Sequence, residues 1–222
     1  MNDPWPDTAT ITLLDSFGLA AEIHLPQSPV SAQAKSKPKK ALKKALTQLT
    51  ETAEWVFTGD VSVTIEWTVD RVWRHENHKV PDLDNIVKPV LDGLVGPSGI
   101  ILDDTQVSHL EVYWISWTRT DRQHLKITID ALDPSDRIDR PFSVVEVRPA
   151  LCQVLPADLD ASARAVLCDA IAAAWDANDR LESLGVVRST ARHVVPMGRV
   201  IHRNKLSEFP VLALEDYRSQ PD

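Results

Sequence analysis

Val61-Ser62-Val63-Thr64-Ile65-Glu66-Trp67-Thr68-Val69 alternates apolar and polar residues with a period of two. Successive side chains on a strand point to opposite faces, so this stretch predicts a strand with one buried face and one wet face. The same alternation returns within 124–132, where Leu125, Ile127, Ile129 and Ala131 are interleaved with Lys126, Thr128 and Asp130. Further strands are expected at 8–14 and 19–25, as a hairpin around Asp15-Ser16-Phe17-Gly18, and at about 110–118. After Pro38, Leu42, Ala45, Leu46 and Leu49 fall at helical spacing and predict an amphipathic helix to about residue 56. A second, short helix is expected at 86–95, stopped by Gly96-Pro97-Ser98-Gly99. Residues 71–80 are polar and read as a loop. Strands, helix, strand, helix, strands in that order predict an α+β fold: a small mixed sheet with helices packed on one face.

Beyond Asp133-Pro134-Ser135-Asp136 the pattern changes. A strand is expected at 142–148 and an alanine-rich helix at 158–183, with Asp158 or Asp160 as its cap. The chain therefore divides into a domain over 1–132 and an extension over 133–222 that is largely helical at 158–183.

The 222 residues, 43% hydrophobic and 25% charged, suit an ordinary globular protein. Two cysteines, Cys152 and Cys168, make neither a disulfide framework nor a zinc site. They fit a reducing compartment, and a cytoplasmic location is expected. Met1-Asn2-Asp3-Pro4 has no basic or apolar leader character. No apolar run reaches the roughly 18 residues of a membrane helix. A net charge of −8 argues against a general nucleic-acid binder. One local exception is the run Lys35, Lys37, Lys39, Lys40, Lys43 and Lys44, which contains no acid. Such a run is either a solvated face or a phosphate-binding stripe.

The strand at 61–69 and the loop after it lead to Pro81-Asp82-Leu83-Asp84-Asn85-Ile86-Val87-Lys88, and Leu102-Asp103-Asp104 follows. Clustered carboxylates repel one another unless a cation or protons intervene. Hard cations such as Mg²⁺ take oxygen ligands, so the cluster suggests metal-assisted phosphate chemistry. In an extended segment Asp82 and Asp84 would face one point, with Leu83 turned inward. Asp84 or Asn85 also suits a helix N-cap. Lys88 lies four residues after Asp84, and Asp92 four after Lys88, which is one helix face. Pro89 disfavours helical geometry at Lys88 and suits only a first turn, so the helix is expected to start late or bend there. Asp103 and Asp104 would point oppositely on an extended chain. One of them can return beside Asp82 and Asp84, and spacing does not say which.

Asp82-Leu83-Asp84-Asn85-Ile86-Val87-Lys88-Pro89-Val90-Leu91-Asp92-Gly93-Leu94, followed by Ile101-Leu102-Asp103-Asp104-Thr105-Gln106-Val107, resembles the RusA-type Holliday junction resolvases. Both halves of that family's pattern, Asp-x-Asp-Asn-x-x-Lys and Asp-Asp-x-Gln-Val, occur in order. Pro29-Val30-Ser31-Ala32-Gln33-Ala34-Lys35 is a weaker likeness to the loop after the family's first strands. The resemblance covers about residues 10–132. It implies an α/β homodimer with two active sites. It further implies an Mg²⁺-dependent endonuclease of bacterial or phage origin, with Mn²⁺ as a substitute cation. Its substrate would be branched DNA, a four-way junction cut on opposing strands by symmetric nicks. By matched position, Asp82, Asp84 and Asp104 would be metal ligands and Lys88 the essential lysine. Two features depart from the family: the acidic balance, and the residues after 132.

Other residues carry weaker signals. His75 and His78 flank the approach to the cluster, but Mg²⁺ prefers oxygen to imidazole. Trp67, Trp114 and Trp117 lie in strand patterns and suit a core or dimer interface. Trp73, in the expected loop, could stack on a base. Arg188, Arg192, Arg199 and Arg203, with His193 and His202, form a basic stretch near the C-terminus. Two other readings remain: a catalytically inactive DNA-binding or assembly protein on the same fold, and a nucleotide-sugar transferase using Asp-x-Asp. The second lacks a Gly-rich nucleotide turn ahead of the motif.

Overall fold

The computed structural model describes residues 8–14, 19–117 and 123–220. It divides into two units, Met1–Arg137 and Ile138–Asp222. In the first, β1 (Thr10–Leu14), β2 (Ala20–Leu25), α1 (Ser36–Thr50), β3 (Trp55–Phe57) and β4 (Val61–Asp70) are followed by α2 (Arg71–Glu76) and α3 (Leu83–Leu94). A 3-10 turn, Asp104–Gln106, then leads into β5 (Val107–Trp117) and β6 (His124–Ala131). The sheet order is β1-β2-β6-β4-β5. All pairings are antiparallel except β4 with β5, which is parallel. The turn expected at Asp15–Gly18 lies outside the described residues, and so does the side chain of Trp117.

Parallel neighbours need a long crossover. Here the crossover from β4 to β5 carries every residue of the carboxylate cluster. The alternation at 61–69 works as its period requires. Val61, Val63, Ile65, Trp67 and Val69 are buried and Ser62, Thr64 and Glu66 half-buried. Leu125, Ile127 and Ile129 of β6 are paired with Trp67, Ile65 and Val63. Leu42 and Leu46 of α1, with Ile86, Val90 and Leu94 of α3, join the same core. The opposite face of the sheet is polar: Lys126 bridges Glu22 at 2.8 Å and Glu66 at 3.8 Å. Helices α1 and α3 cross closely, since a Cβ on Gly93 would stand 2.5 Å from Leu46 Cδ1.

Three local expectations change. Helix α1 stops at Thr50, whose hydroxyl donates to the Ser98 carbonyl at 2.7 Å, and Trp55–Phe57 form a fully buried strand. The expected loop after Asp70 opens with α2, because the Asp70 carboxylate caps it by accepting from Trp73 N–H at 2.8 Å. Helix α3 begins at Leu83, not Ile86, and Pro89 lies in its interior.

In the second unit, β8 (Phe142–Arg148) and β9 (Leu151–Pro156) pair antiparallel, after a short strand β7 (Arg137–Asp139) at the boundary. Ala150, at φ 63°, makes the turn between β8 and β9. After α4 (Ala161–Ser183) and α5 (Arg188–Val194), β10 (Ile201–His202) and β11 (Val211–Ala213) extend the sheet to the order β10-β9-β8-β11, and α6 (Leu214–Arg218) closes the chain. Asp160 caps α4, accepting from Ala163 N–H at 2.8 Å. Val145, Leu155, Cys168, Trp175 and Tyr217 form this unit's own core. The extension is thus itself α+β, with a sheet beside its long helix. Among the described residues no helix is long and apolar enough to cross a membrane.

Candidate active site

The carboxylate cluster is built on the N-terminal half of α3 and on the turn before β5. Asp82 is the N-cap residue of α3, in extended geometry, and its carboxylate makes no capping bond. Asp84 lies inside the first turn. Both are exposed. They are therefore not alternate residues of one extended strand, as the sequence suggests. They sit at a helix entry, where free N–H groups and the helix dipole favour negative charge.

Lys88 stands one turn after Asp84 on the same face. Its Nζ donates to Asp92 Oδ1 at 2.8 Å and to Asp104 Oδ2 at 2.9 Å. Those two hydrogen bonds, Asp92 first, hold the ammonium pKa well above the ordinary lysine range, against a smaller opposing effect of burial. Lys88 remains 61% exposed, so the pair is open to solvent. The bend expected from Pro89 does not make Lys88 a helix-entry residue; it lies mid-helix.

Asp103 and Asp104 separate in role. The Asp103 carboxylate accepts from Thr105 N–H at 3.1 Å and also bonds the Thr105 hydroxyl, capping the 3-10 turn. Asp104, with its side chain 38% exposed, turns to Lys88. What holds this turn is Gln106, which the sequence reading placed in the family pattern without giving it a role. Buried to 3% exposure, its Oε1 accepts from Leu102 N–H at 2.7 Å and Asp103 N–H at 3.0 Å. Its Nε2 donates to the carbonyls of Phe57 at 3.0 Å and Gly59 at 2.8 Å. The available signal was Asp103-x-x-Gln106, a capping-box spacing.

A third segment reaches α3. Ala32 N–H donates to the Asn85 carbonyl at 2.6 Å, and Gln33 Nε2 to Asn85 Oδ1 at 3.4 Å. Lys39 Nζ donates to the Ala32 carbonyl at 3.1 Å. This ties the start of the lysine run to the helix that carries Asp82 and Asp84. Lys35, Lys37, Lys40 and Lys44 are exposed, and Lys43 is half-buried.

The donor set suits a hard cation. Mg²⁺ keeps several waters and takes one or two carboxylates together with substrate phosphates. Asp82, Asp84 and Asp104 offer carboxylate oxygens of that kind. Among the described residues, no three acidic, histidine or cysteine side chains come together closely enough to hold a metal ion by themselves. His75 and His78 are exposed on α2 and the loop after it.

Trp73 does not lie free in a loop. It packs edge-on against the fully buried Trp67, ring centroids 6.4 Å apart. Trp114 is half-buried beneath the Arg74 guanidinium, 3.9 Å from its ring centroid. Three arginines of the C-terminal basic stretch are engaged within their own unit. Arg188 meets Glu182 at 3.6 Å, Arg203 meets Glu146 at 2.8 Å, and Arg192 lies over the Trp175 ring.

Residues 28–130 match the family model described as endodeoxyribonuclease RusA. That span contains Asp82, Asp84, Lys88, Asp104 and the lysine run. No curated protein matches the chain.

Proposed function

Since residues 28–130 belong to the RusA endodeoxyribonuclease family, we propose that this chain resolves four-way DNA junctions by paired, symmetric nicks, with Mg²⁺ as its cofactor and Mn²⁺ as a substitute. The observation that carries the reading is Lys88, held between Asp92 and Asp104 one turn from Asp84. A fixed cation beside free carboxylates is what phosphodiester hydrolysis calls for.

Asp82, Asp84 and Asp104 would hold the cation. When bound, it supplies charge neutralisation at the scissile phosphate and a water of lowered pKa. Lys88, already charged, stabilises negative charge that develops on the phosphate oxygens. Gln106 fixes the turn bearing Asp104, so that carboxylate is offered without a search through loop conformations. Lys35, Lys37, Lys40 and Lys44, with Lys39 and Lys43 beside them, are candidate phosphate contacts for the arms of the junction.

The reading carries a homodimer, whose two-fold symmetry matches that of a junction cut on opposing strands. It also carries a cytoplasmic site of action in a bacterium, on host or phage DNA. The alternative is a catalytically inactive DNA-binding protein on the same fold, in which Lys88 would keep Asp104 from any cation.

A labelled four-way junction and a matched linear duplex, each with and without Mg²⁺, separate the two. Symmetric nicking of the junction that disappears in Asp82→Asn is the expected result. Tight junction binding without cutting in any divalent metal would reject the enzyme in favour of the binding protein.

A further inference from the structure

Pro89 has no N–H to give to the carbonyl four residues earlier, so the helix leaves the Asn85 carbonyl without its ordinary donor. A buried helix interior rarely tolerates such a gap. Here the gap is filled from outside the helix, by Ala32 N–H at 2.6 Å. Two further bonds accompany it, from Gln33 to the Asn85 side chain and from Lys39 to the Ala32 carbonyl. The loop Ser31–Lys35 is therefore docked on α3 through a carbonyl that Pro89 leaves without its helical donor. Gln33, Lys35 and Lys37 on this loop and the start of α1 remain exposed.

We infer that Pro89 is a positioning residue. By leaving the Asn85 carbonyl free it fixes the Ser31–Lys35 loop to the catalytic helix, and so holds Lys35 and Lys37 where a DNA strand bound at Asp82 and Asp84 presents its phosphates. The DNA half of this inference rests on the endonuclease reading; the docking half does not. An interior proline weakens a helix. Its replacement by alanine should leave the fold as stable as before, or more so, while harming substrate binding.

The test uses the full chain carrying Pro89→Ala. Its restored N–H competes with Ala32 for the Asn85 carbonyl. Three measurements apply: amide exchange at Ala32, kcat and KM on a labelled four-way junction, and the salt dependence of junction binding. The expected result is faster exchange at Ala32 and a KM raised roughly three- to tenfold, the factor for one net hydrogen bond. Along with these, kcat stays within about twofold and the salt dependence flattens, because phosphate contacts set its slope. The melting temperature should not fall.

Ala32→Pro removes the same bond from the other side and carries the test if Pro89→Ala unfolds. The double variant should raise KM no further than either single one, as expected for one shared contact. Unchanged Ala32 exchange in Pro89→Ala overturns the docking. Faster exchange with unchanged KM and salt slope overturns the role in DNA binding. If the wild-type protein cuts no DNA, the endonuclease reading fails by itself. Ala32 exchange and equilibrium junction binding then decide the inference on the same terms.

Discussion

Lys88 Nζ lies 2.9 Å from Asp104 Oδ2, joining the middle of α3 to the turn before β5. The crossover between parallel strands β4 and β5 is thereby closed at its two acidic segments. Lys88 also holds Asp92, so one ammonium is shared by two carboxylates while Asp84, a turn away, is left exposed. In the free protein Asp92 and Asp104 thus share the Lys88 charge, while Asp82 and Asp84 stay open.

Lys88→Met should abolish most cleavage and leave the fold intact. The ion pairs are largely exposed, and exposed pairs contribute about 0–1 kcal/mol. Loss of a preorganised charge at the reacting phosphate costs on the order of a hundredfold or more in kcat. Single-turnover cleavage and thermal melting, run on the same preparation, check both halves. A drop in melting temperature proportional to the lost activity would make Lys88 a structural residue.

The pH response follows from the same contacts. The folded pKa of Lys88 is raised above its unfolded value, so its contribution to stability is complete below about pH 10 and is lost as pH rises through the folded pKa. Between pH 7 and 10, melting curves of wild type and Lys88→Met should run parallel. They should converge only at higher pH. Any basic limb in the cleavage profile within pH 7–10 must come from another group, and Lys88→Arg should retain it.

Gln106→Leu should be far more disruptive than its conservative volume suggests. The buried amide satisfies two N–H groups and two carbonyls at once. Leaving buried polar groups unpaired costs about 1–3 kcal/mol each, less where the turn relaxes toward water. A loss on the order of 3 kcal/mol in urea unfolding is expected, with weaker Mg²⁺ activation in whatever fraction remains folded. A loss under about 0.5 kcal/mol would mean that the turn is held by something else.

Period-two alternation was enough to find β4 and β6, because each has one face on the core and one in water. It also carried the sheet class. The start of α3 was misread for a definite reason. Pro89 forbids a helical hydrogen bond, and local rules place proline in a first turn. What permits it in the interior is Ala32, which is remote in sequence and invisible to any local window. The strand at Trp55–Phe57 was hidden for a related reason: its three residues are all buried, so nothing alternates. Strands β9, β10 and β11 are short or lack strict alternation, and pairing partners rather than composition make them strands. At the site, residue types marked Asp82, Asp84, Lys88 and the pair Asp103-Asp104, and only the family resemblance chose Asp104 from that pair. Which carboxylate the lysine holds, and that Asp103 is spent on a cap, depended on a 3-10 turn that spacing does not reveal.

Mg²⁺ should stabilise the protein by mass action, and the size of the effect tests the proposed ligands without any DNA. A cation bound only to the folded state adds RT ln(1 + [Mg²⁺]/Kd), about 2.7 kcal/mol at a hundred times Kd. Without the substrate phosphate the site is incomplete, so Kd should be weak and the rise in melting temperature gradual over the millimolar range. Asp84→Asn keeps the side-chain volume and a carbonyl oxygen but removes the charge at the helix entry. That change should blunt the Mg²⁺-dependent rise while barely altering the melting temperature in EDTA, since the Asp84 carboxylate caps nothing and pairs with nothing among the described residues. Asp103→Ala should do the reverse: it removes the cap on Thr105 and lowers stability in EDTA by about 0.5–2 kcal/mol, with the Mg²⁺ increment preserved. Equal Mg²⁺ increments in wild type and Asp84→Asn would remove Asp84 from the ligand set.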